Sequence, residues 1–139
     1  MSAQKTWELD VPVEKVIGCA RPRYDGRSGR TYVPTATSRA ERHIAAAWRD
    51  AHGDGPLIPE GPVYLEVHTF RRLPKSRPKR VLSEPDTYKP DWDNVGKLVC
   101  DAISGLAFAD DSQVTCASVI QHDRTRRESE LIHIKVERL

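Results

Sequence analysis

Five aspartates and two lysines fall within residues 89–114, KPDWDNVGKLVCDAISGLAFADDSQV. Asp91 and Asp93 are two apart. On an extended segment, that spacing puts both side chains on one side. Lys97 follows Asp93 by four residues and precedes Asp101 by four. Each step of four turns a helix by only about 40°, so Asp93, Lys97 and Asp101 line one polar stripe. Asp110 and Asp111 come after the helical pattern ends. Whether they return to the helix is a question for the fold.

Clustered carboxylates suit a hard divalent cation. Mg²⁺ prefers carboxylate and water oxygens. It activates water and offsets charge on a phosphate, and a pair of ions about 3.5–4 Å apart can hold attacking and leaving oxygens together. A lysine beside them neutralises phosphate charge or orients water. Each piece also has a plainer use. Asp91 or Asp93 could cap a helix. Asp-Asp before a strand is ordinary turn chemistry. Lys97 could pair with Asp93 or Asp101 on a solvated face. The string DWDNVG resembles the start of a calcium-binding EF-hand loop. That loop needs an oxygen ligand where Val95 stands and a glutamate where Ala102 stands, so it is excluded. Nucleotide-binding, zinc-protease and serine-hydrolase motifs are absent.

The positioning elements follow from periodicity. Val95, Leu98, Val99, Ala102, Ile103 and Leu106 recur at threes and fours, which predicts a helix from Trp92 to Ser104 capped by Gly105. A first helix is expected after a cap at Thr37 or Ser38. Its stripe is Ala40, Ile44, Ala47, Trp48 and Ala51, and Gly53 ends it. Strands are expected at Thr6–Val16, with Pro12 marking an edge, at Val63–Phe70, at Gln113–Gln121 and at Leu131–Val136. The segment from Ile17 to Pro34 reads as a loop with a short extended end at Thr31–Val33. The sum is an α/β (α+β) domain spanning residues 1–139, with a small mixed sheet of about four strands packed against two main helices.

The remaining composition excludes more than it assigns. No apolar run suits a membrane helix. MSAQKTWELD lacks an apolar signal core, so a cytoplasmic protein is the default expectation. Cys19, Cys100 and Cys116 form no metal-binding spacing. Net charge is only +2, but RRLPKSRPKR at 71–80 holds six basic residues and no acid. Such a segment beside an acidic cluster suits an enzyme holding a polyanion. The candidate DNA contacts are Arg71, Arg72, Lys75, Arg77, Lys79 and Arg80, with Lys89 at the motif and Arg21, Arg23, Arg27 and Arg30 in the first loop. Tyr88 and Trp92 flank the motif, with packing their expected use and base stacking the other. His68 and His133 are expected to be structural.

The strings KPDWDNVGK, DAISG and DDSQV, in this order and spacing, resemble the signature of the RusA-type Holliday junction resolvases. The resemblance implies a RusA-like fold and a homodimer that nicks two strands of a four-way DNA junction symmetrically, using Mg²⁺ or Mn²⁺. It implies Asp91, Asp93 and Asp111 as catalytic metal-binding carboxylates, Asp110 as a further ligand and Lys97 as the catalytic lysine. Asp101 is read as orienting Lys97. A bacterial, phage or prophage source accords with it. A lysine frequent in relatives is replaced here by Gln121 and His122, with Arg124, Arg126 and Arg127 nearby as substitutes. Two-fold symmetry matches a dimer to a junction's equivalent strands. The rival readings are a broader flap or branched-DNA nuclease, and a non-catalytic module binding branched DNA.

Overall fold

The computed structural model describes residues 4–32 and 34–139. Val33, part of one expected extended segment, lies outside them. Strand β1 spans Thr6–Val13. Two short strands, β2 (Arg23–Asp25) and β3 (Arg30–Tyr32), precede helix α1 (Thr35–His52). Strand β4 (Val63–Phe70) and short β5 (Ser83–Glu84) lead to helix α2 (Trp92–Ile103). Then come a single 3-10 turn (Asp111–Gln113), β6 (Val114–Gln121), short β7 (Arg124–Thr125) and β8 (Glu130–Arg138).

The main sheet has the order β1-β8-β4-β6. Its first three strands pair antiparallel, while β4 and β6 are parallel. A parallel pair needs a long crossover, and here α2 is in that crossover. The edge position implied by Pro12 is the one β1 takes. Alternation decides which face is covered. Val63, Leu65, Val67 and Thr69 are buried, and the residues between them are half-buried. The inward side chains of β1, β4 and β8 share one core with Ile44 and Trp48 of α1 and with Val95, Leu98, Val99, Ala102 and Ile103 of α2. The stripe expected on α2 is therefore the one that packs. Gly105 adopts φ +87° just past the helix, where glycine carries no Cβ penalty.

Two expectations are corrected. Neither Thr37 nor Ser38 caps α1. Pro34 occupies the cap position with no side-chain bond, because the fixed proline φ already suits helix entry. Thr37 is buried instead and accepts a hydrogen bond from the Ala20 amide at 3.1 Å. The segment expected to be mostly loop forms the β2–β3 hairpin. Asp25 organises its turn by accepting from the Arg27 amide and the Ser28 hydroxyl, and Gly29 takes φ +70°.

Gly96 explains its own presence in a helix. A Cβ there would lie 2.9 Å from Cγ2 of Val119 on β6. The close approach outweighs the roughly 1 kcal/mol of helix propensity that glycine forfeits relative to alanine. We expect Gly96→Ala to destabilise the protein by about 1–3 kcal/mol, the usual cost of overpacking. With Val119→Ala behind it, the same change should become neutral or stabilising. Denaturant melts of the four proteins check this, and an equal cost in both backgrounds contradicts it.

The opposite face of the sheet carries a polar chain. The Tyr64 hydroxyl donates to Glu66 at 2.7 Å, Glu66 meets His68 at 3.0 Å, and His68 Nδ1 lies 2.7 Å from His122 Nε2. Both histidines stack against Phe70. His68 is thus structural, as expected, and His133 pairs with Asp10 at 2.6 Å. Burial, then the neighbouring His68, pushes the His122 pKa below its ordinary 6.5. Its neutral form is favoured in the folded state. This contribution is therefore intact above pH 6.5 and is lost as the pH falls below it. Thermal melts between about pH 8 and pH 5 should show a shallower acid decline for His122→Phe than for the parent. Parallel profiles contradict the assignment.

Candidate active site

Asp91 occupies the N-cap position of α2 but makes no side-chain capping bond. Its carboxylate is therefore free of the plainer role open to it. It pairs instead with Lys89 Nζ at 2.9 Å, on the surface. Asp93 stands in the first helical turn, exposed. Three separate parts of the chain hold this entry. Arg71 Nη1 donates to the Lys89 carbonyl at 2.9 Å. Gln121 Nε2 donates to the Pro90 carbonyl at 3.0 Å. The Cys19 amide donates to the Asn94 carbonyl at 3.0 Å. At Gly18, an added Cβ would sit within 2.9 Å of both Asn94 and Pro90, so that position admits no side chain without movement of the motif.

One turn further on, Lys97 pairs with Asp101 at 3.4 Å. This is one of the two ion pairs that the spacing allowed Lys97. No ion pair joins Lys97 to Asp93 among the described residues. The Asp101 charge, chiefly, raises the Lys97 pKa, and Asp111 contributes, so the ammonium stays protonated. Two neighbours escaped the sequence reading. Ligand atoms of Cys19, Glu41 and Asp101 lie within 4.8 Å of one another. Burial, then Asp101, raises the Glu41 pKa. The signal for Glu41 was available: it precedes Ile44 by three and Trp48 by seven, on the inward stripe of α1.

Asp110 is largely committed to local structure. It caps the 3-10 turn, accepting from the Ser112 amide at 3.1 Å. Hydrogen bonds from Ser112 hold its carboxyl below the usual range. Gln113 completes the turn by accepting from the Ala109 and Asp110 amides and donating to the Ile58 and Gly61 carbonyls. Asp111 is exposed and lies near enough to Cys100 to help burial push that thiol up to about 11.

The two aspartate pairs belong to different segments, and Asp111 lies near enough to Lys97 to help raise its pKa. Asp91 and Asp93 are at the start of α2, and Asp110 and Asp111 follow its end. From residue 93 to residue 103 the helix rises about 15 Å. Among the described residues, the one group of three or more potential ligands within 4.8 Å is Cys19, Glu41 and Asp101, not the motif aspartates. The donors have the right chemistry for a hard cation.

The basic run divides sharply. Arg71 is corrected from a DNA contact to a buried structural residue, 5% exposed. Its guanidinium faces Asp86 at 3.5 Å and Glu130 at 3.9 Å. Inward alternation continues past β4 through Arg71 and Leu73. Arg77 is half-buried and tied to Glu84 at 3.0 Å and the Tyr88 hydroxyl at 2.8 Å. Arg72, Lys75, Lys79 and Arg80 are exposed, as are Lys89, Arg21, Arg23, Arg27 and Arg30. The run meets the segment after β6. Lys15, Arg72, Lys75, Arg124, Arg126 and Arg127 all border one cavity of about 510 Å³. Arg126 knits its wall by donating to the carbonyls of Arg77, Pro78 and Val81. Packing was the expected use of Tyr88 and Trp92, yet both rings are exposed, Trp92 at 62%. Neither is needed by the core.

The profile of a protein family described as "Endodeoxyribonuclease RusA" matches residues 14–137. An "Uncharacterized protein YqaN" of Bacillus subtilis (strain 168) is 35% identical over 108 residues, covering 70% of this chain and 75% of its own.

Proposed function

The chain belongs to the RusA endodeoxyribonuclease family, a family of Holliday junction resolving endonucleases, and from that premise we propose that it is a homodimer that resolves four-way DNA junctions by paired symmetric nicks, dependent on Mg²⁺ or Mn²⁺. The observation that carries this reading is the display on α2. Its apolar stripe is wholly committed to the core, while Asp91, Asp93 and Lys97 remain exposed on its other side. Asp91, Asp93 and Asp111 are the proposed metal-binding carboxylates, and Asp110 is a poorer candidate because its cap occupies one oxygen. Lys97 supplies a fixed positive charge for a phosphate. The cavity bordered by Arg72, Lys75 and Arg124 supplies sequence-independent affinity for the DNA backbone. Trp92 is placed to stack on an unpaired base at the branch.

The test uses labelled four-way junctions, flaps and plain duplex, each with Mg²⁺ or EDTA. Metal-dependent cutting of junctions at symmetric positions is expected. Preference for flaps would favour a broader branched-DNA nuclease, and binding without cutting would favour a non-catalytic module.

A further inference from the structure

Packing does not account for the β2–β3 hairpin. No residue of its two strands is buried. Two strands alone are marginal in water, and these are closed by the Asp25 turn rather than by an apolar face. Their side chains are nevertheless of one kind. Arg21, Arg23, Arg27 and Arg30 are exposed, as are Tyr24 at 69% and Tyr32 at 49%. The one acid of the ribbon, Asp25, is occupied in the turn. Pairing sets Arg23 opposite Tyr32 and Asp25 opposite Arg30, and alternate positions share a face. Arg23, Arg30 and Tyr32 therefore lie on one side. Arginine and tyrosine both donate to phosphates, and a two-stranded ribbon fits the major groove of DNA. The root of the hairpin rests on the acidic motif. The Cys19 amide donates to the Asn94 carbonyl, and the Ala20 amide donates to buried Thr37. From Cys19 to Arg23 the chain reaches at most about 14 Å. The opposite end of the same entry is tied to the basic cavity, because Arg71 borders that cavity and donates to the Lys89 carbonyl. The helix entry thus sits between two basic features, one joined to residue 89 and the other to residue 94.

We propose that the β2–β3 hairpin is a ribbon arm that grips the backbone of a second duplex arm of branched DNA, and that this second grip is what favours junctions over plain duplex. The cavity holds one arm, the ribbon holds the next, and the branch lies at the helix entry between them. A continuous duplex is stiff, with a persistence length of about 50 nm, and meets only one of the two surfaces. A branch lets its arms diverge and meet both. Arg23 and Arg30 are positioning residues in this scheme. They hold DNA at a distance from the reacting phosphate and contribute to binding, not to the chemical step. The proposal deepens the resolvase reading and rests on it for the identity of the site.

The test compares the wild type with Arg23→Ala/Arg30→Ala on a four-way junction and on a linear duplex of the same sequence. Binding is measured in EDTA, so that cutting does not intervene. The double variant should melt like the parent, since neither side chain is buried. Its junction affinity should fall by about tenfold or more, and the slope of log affinity against log salt should fall by about 2, one unit for each lost phosphate contact. Its duplex affinity should stay within about twofold, because the cavity is untouched. Hydroxyl-radical footprints on the junction should lose protection on one arm and keep it on the neighbouring arm. With Mg²⁺, single-turnover cutting at saturating protein should match the wild type, and half-saturation should need more protein. Unchanged junction affinity overturns the proposal. So do equal losses on junction and duplex, which make the ribbon a general DNA contact, and so does a collapse of the saturated rate at unchanged affinity. A wild type that binds junctions but never cuts them counts instead against the resolvase reading, and the binding comparison still decides the role of the ribbon.

Discussion

Asp93→Asn is expected to lower junction cutting by about a thousandfold or more while leaving junction binding intact or tighter. The magnitude follows from the role. Loss of a single preorganised charge-stabilising group already costs on the order of 10²–10³ in rate, and a metal-binding carboxylate does more than one hydrogen-bond donor. The sign on binding follows from charge. Asp93 is exposed at the helix entry, where an added negative charge repels phosphate, and the isosteric amide removes that repulsion. Asp111→Asn should behave alike. Asp110→Asn should lose less, because one Asp110 oxygen serves the 3-10 turn. Rates and gel-shift affinities of the three variants check the ranking. Cutting by Asp93→Asn at the wild-type rate would remove that residue from the site.

Arg71→Ala is expected to cost about 3–5 kcal/mol of stability, the usual consequence of removing one partner from a buried ionic group. That is a large share of the 5–15 kcal/mol that holds a typical domain together. The group is dense. Glu130 accepts from the Val16 amide at 2.8 Å and the Arg72 amide at 2.9 Å, and Asp86 lies on the far side of Arg71. One Asp86 oxygen already lacks a hydrogen-bond partner among the described residues. Without the guanidinium, two buried carboxylates lose their counter-charge and the Lys89 carbonyl loses its donor. The exposed neighbour gives the contrast. Arg72→Ala should barely move the melting curve but should flatten the salt dependence of DNA binding. If Arg71→Ala melts like the parent and instead weakens DNA binding, Arg71 belongs with the surface contacts after all.

These two residues also show how far a sequence can be read. Asp93 was legible because helical spacing is local. Residues 95, 98, 99, 102 and 103 fix the buried side of α2, which leaves Asp93 and Lys97 exposed. Arg71 was misread because six basic residues in a run look like one solvated patch. The period of two that buries Val63 to Thr69 carries on through Arg71 and Leu73, and that signal was in the sequence. The β2–β3 hairpin was missed because its strands are three residues each and carry no inward apolar set. Their register comes from the Asp25 turn, not from burial. The distance between the aspartate pairs was beyond local patterns altogether. It depends on α2 and β6 running in opposite directions, a consequence of the parallel β4–β6 pairing. Glu41 and Cys19 joined the site through contact between α1, α2 and the segment after β1, which no spacing within one element announces.

The central claim is that this chain breaks phosphodiesters in pairs at a four-way junction. It is tested most directly on a supercoiled plasmid that extrudes a cruciform. With Mg²⁺, the wild-type protein should convert the circle to linear molecules cut at the cruciform, because both nicks fall within one binding event. With EDTA, the plasmid should remain supercoiled. Accumulation of open circles would contradict paired cutting, and an unchanged supercoiled plasmid in Mg²⁺ or Mn²⁺ would contradict the enzyme itself.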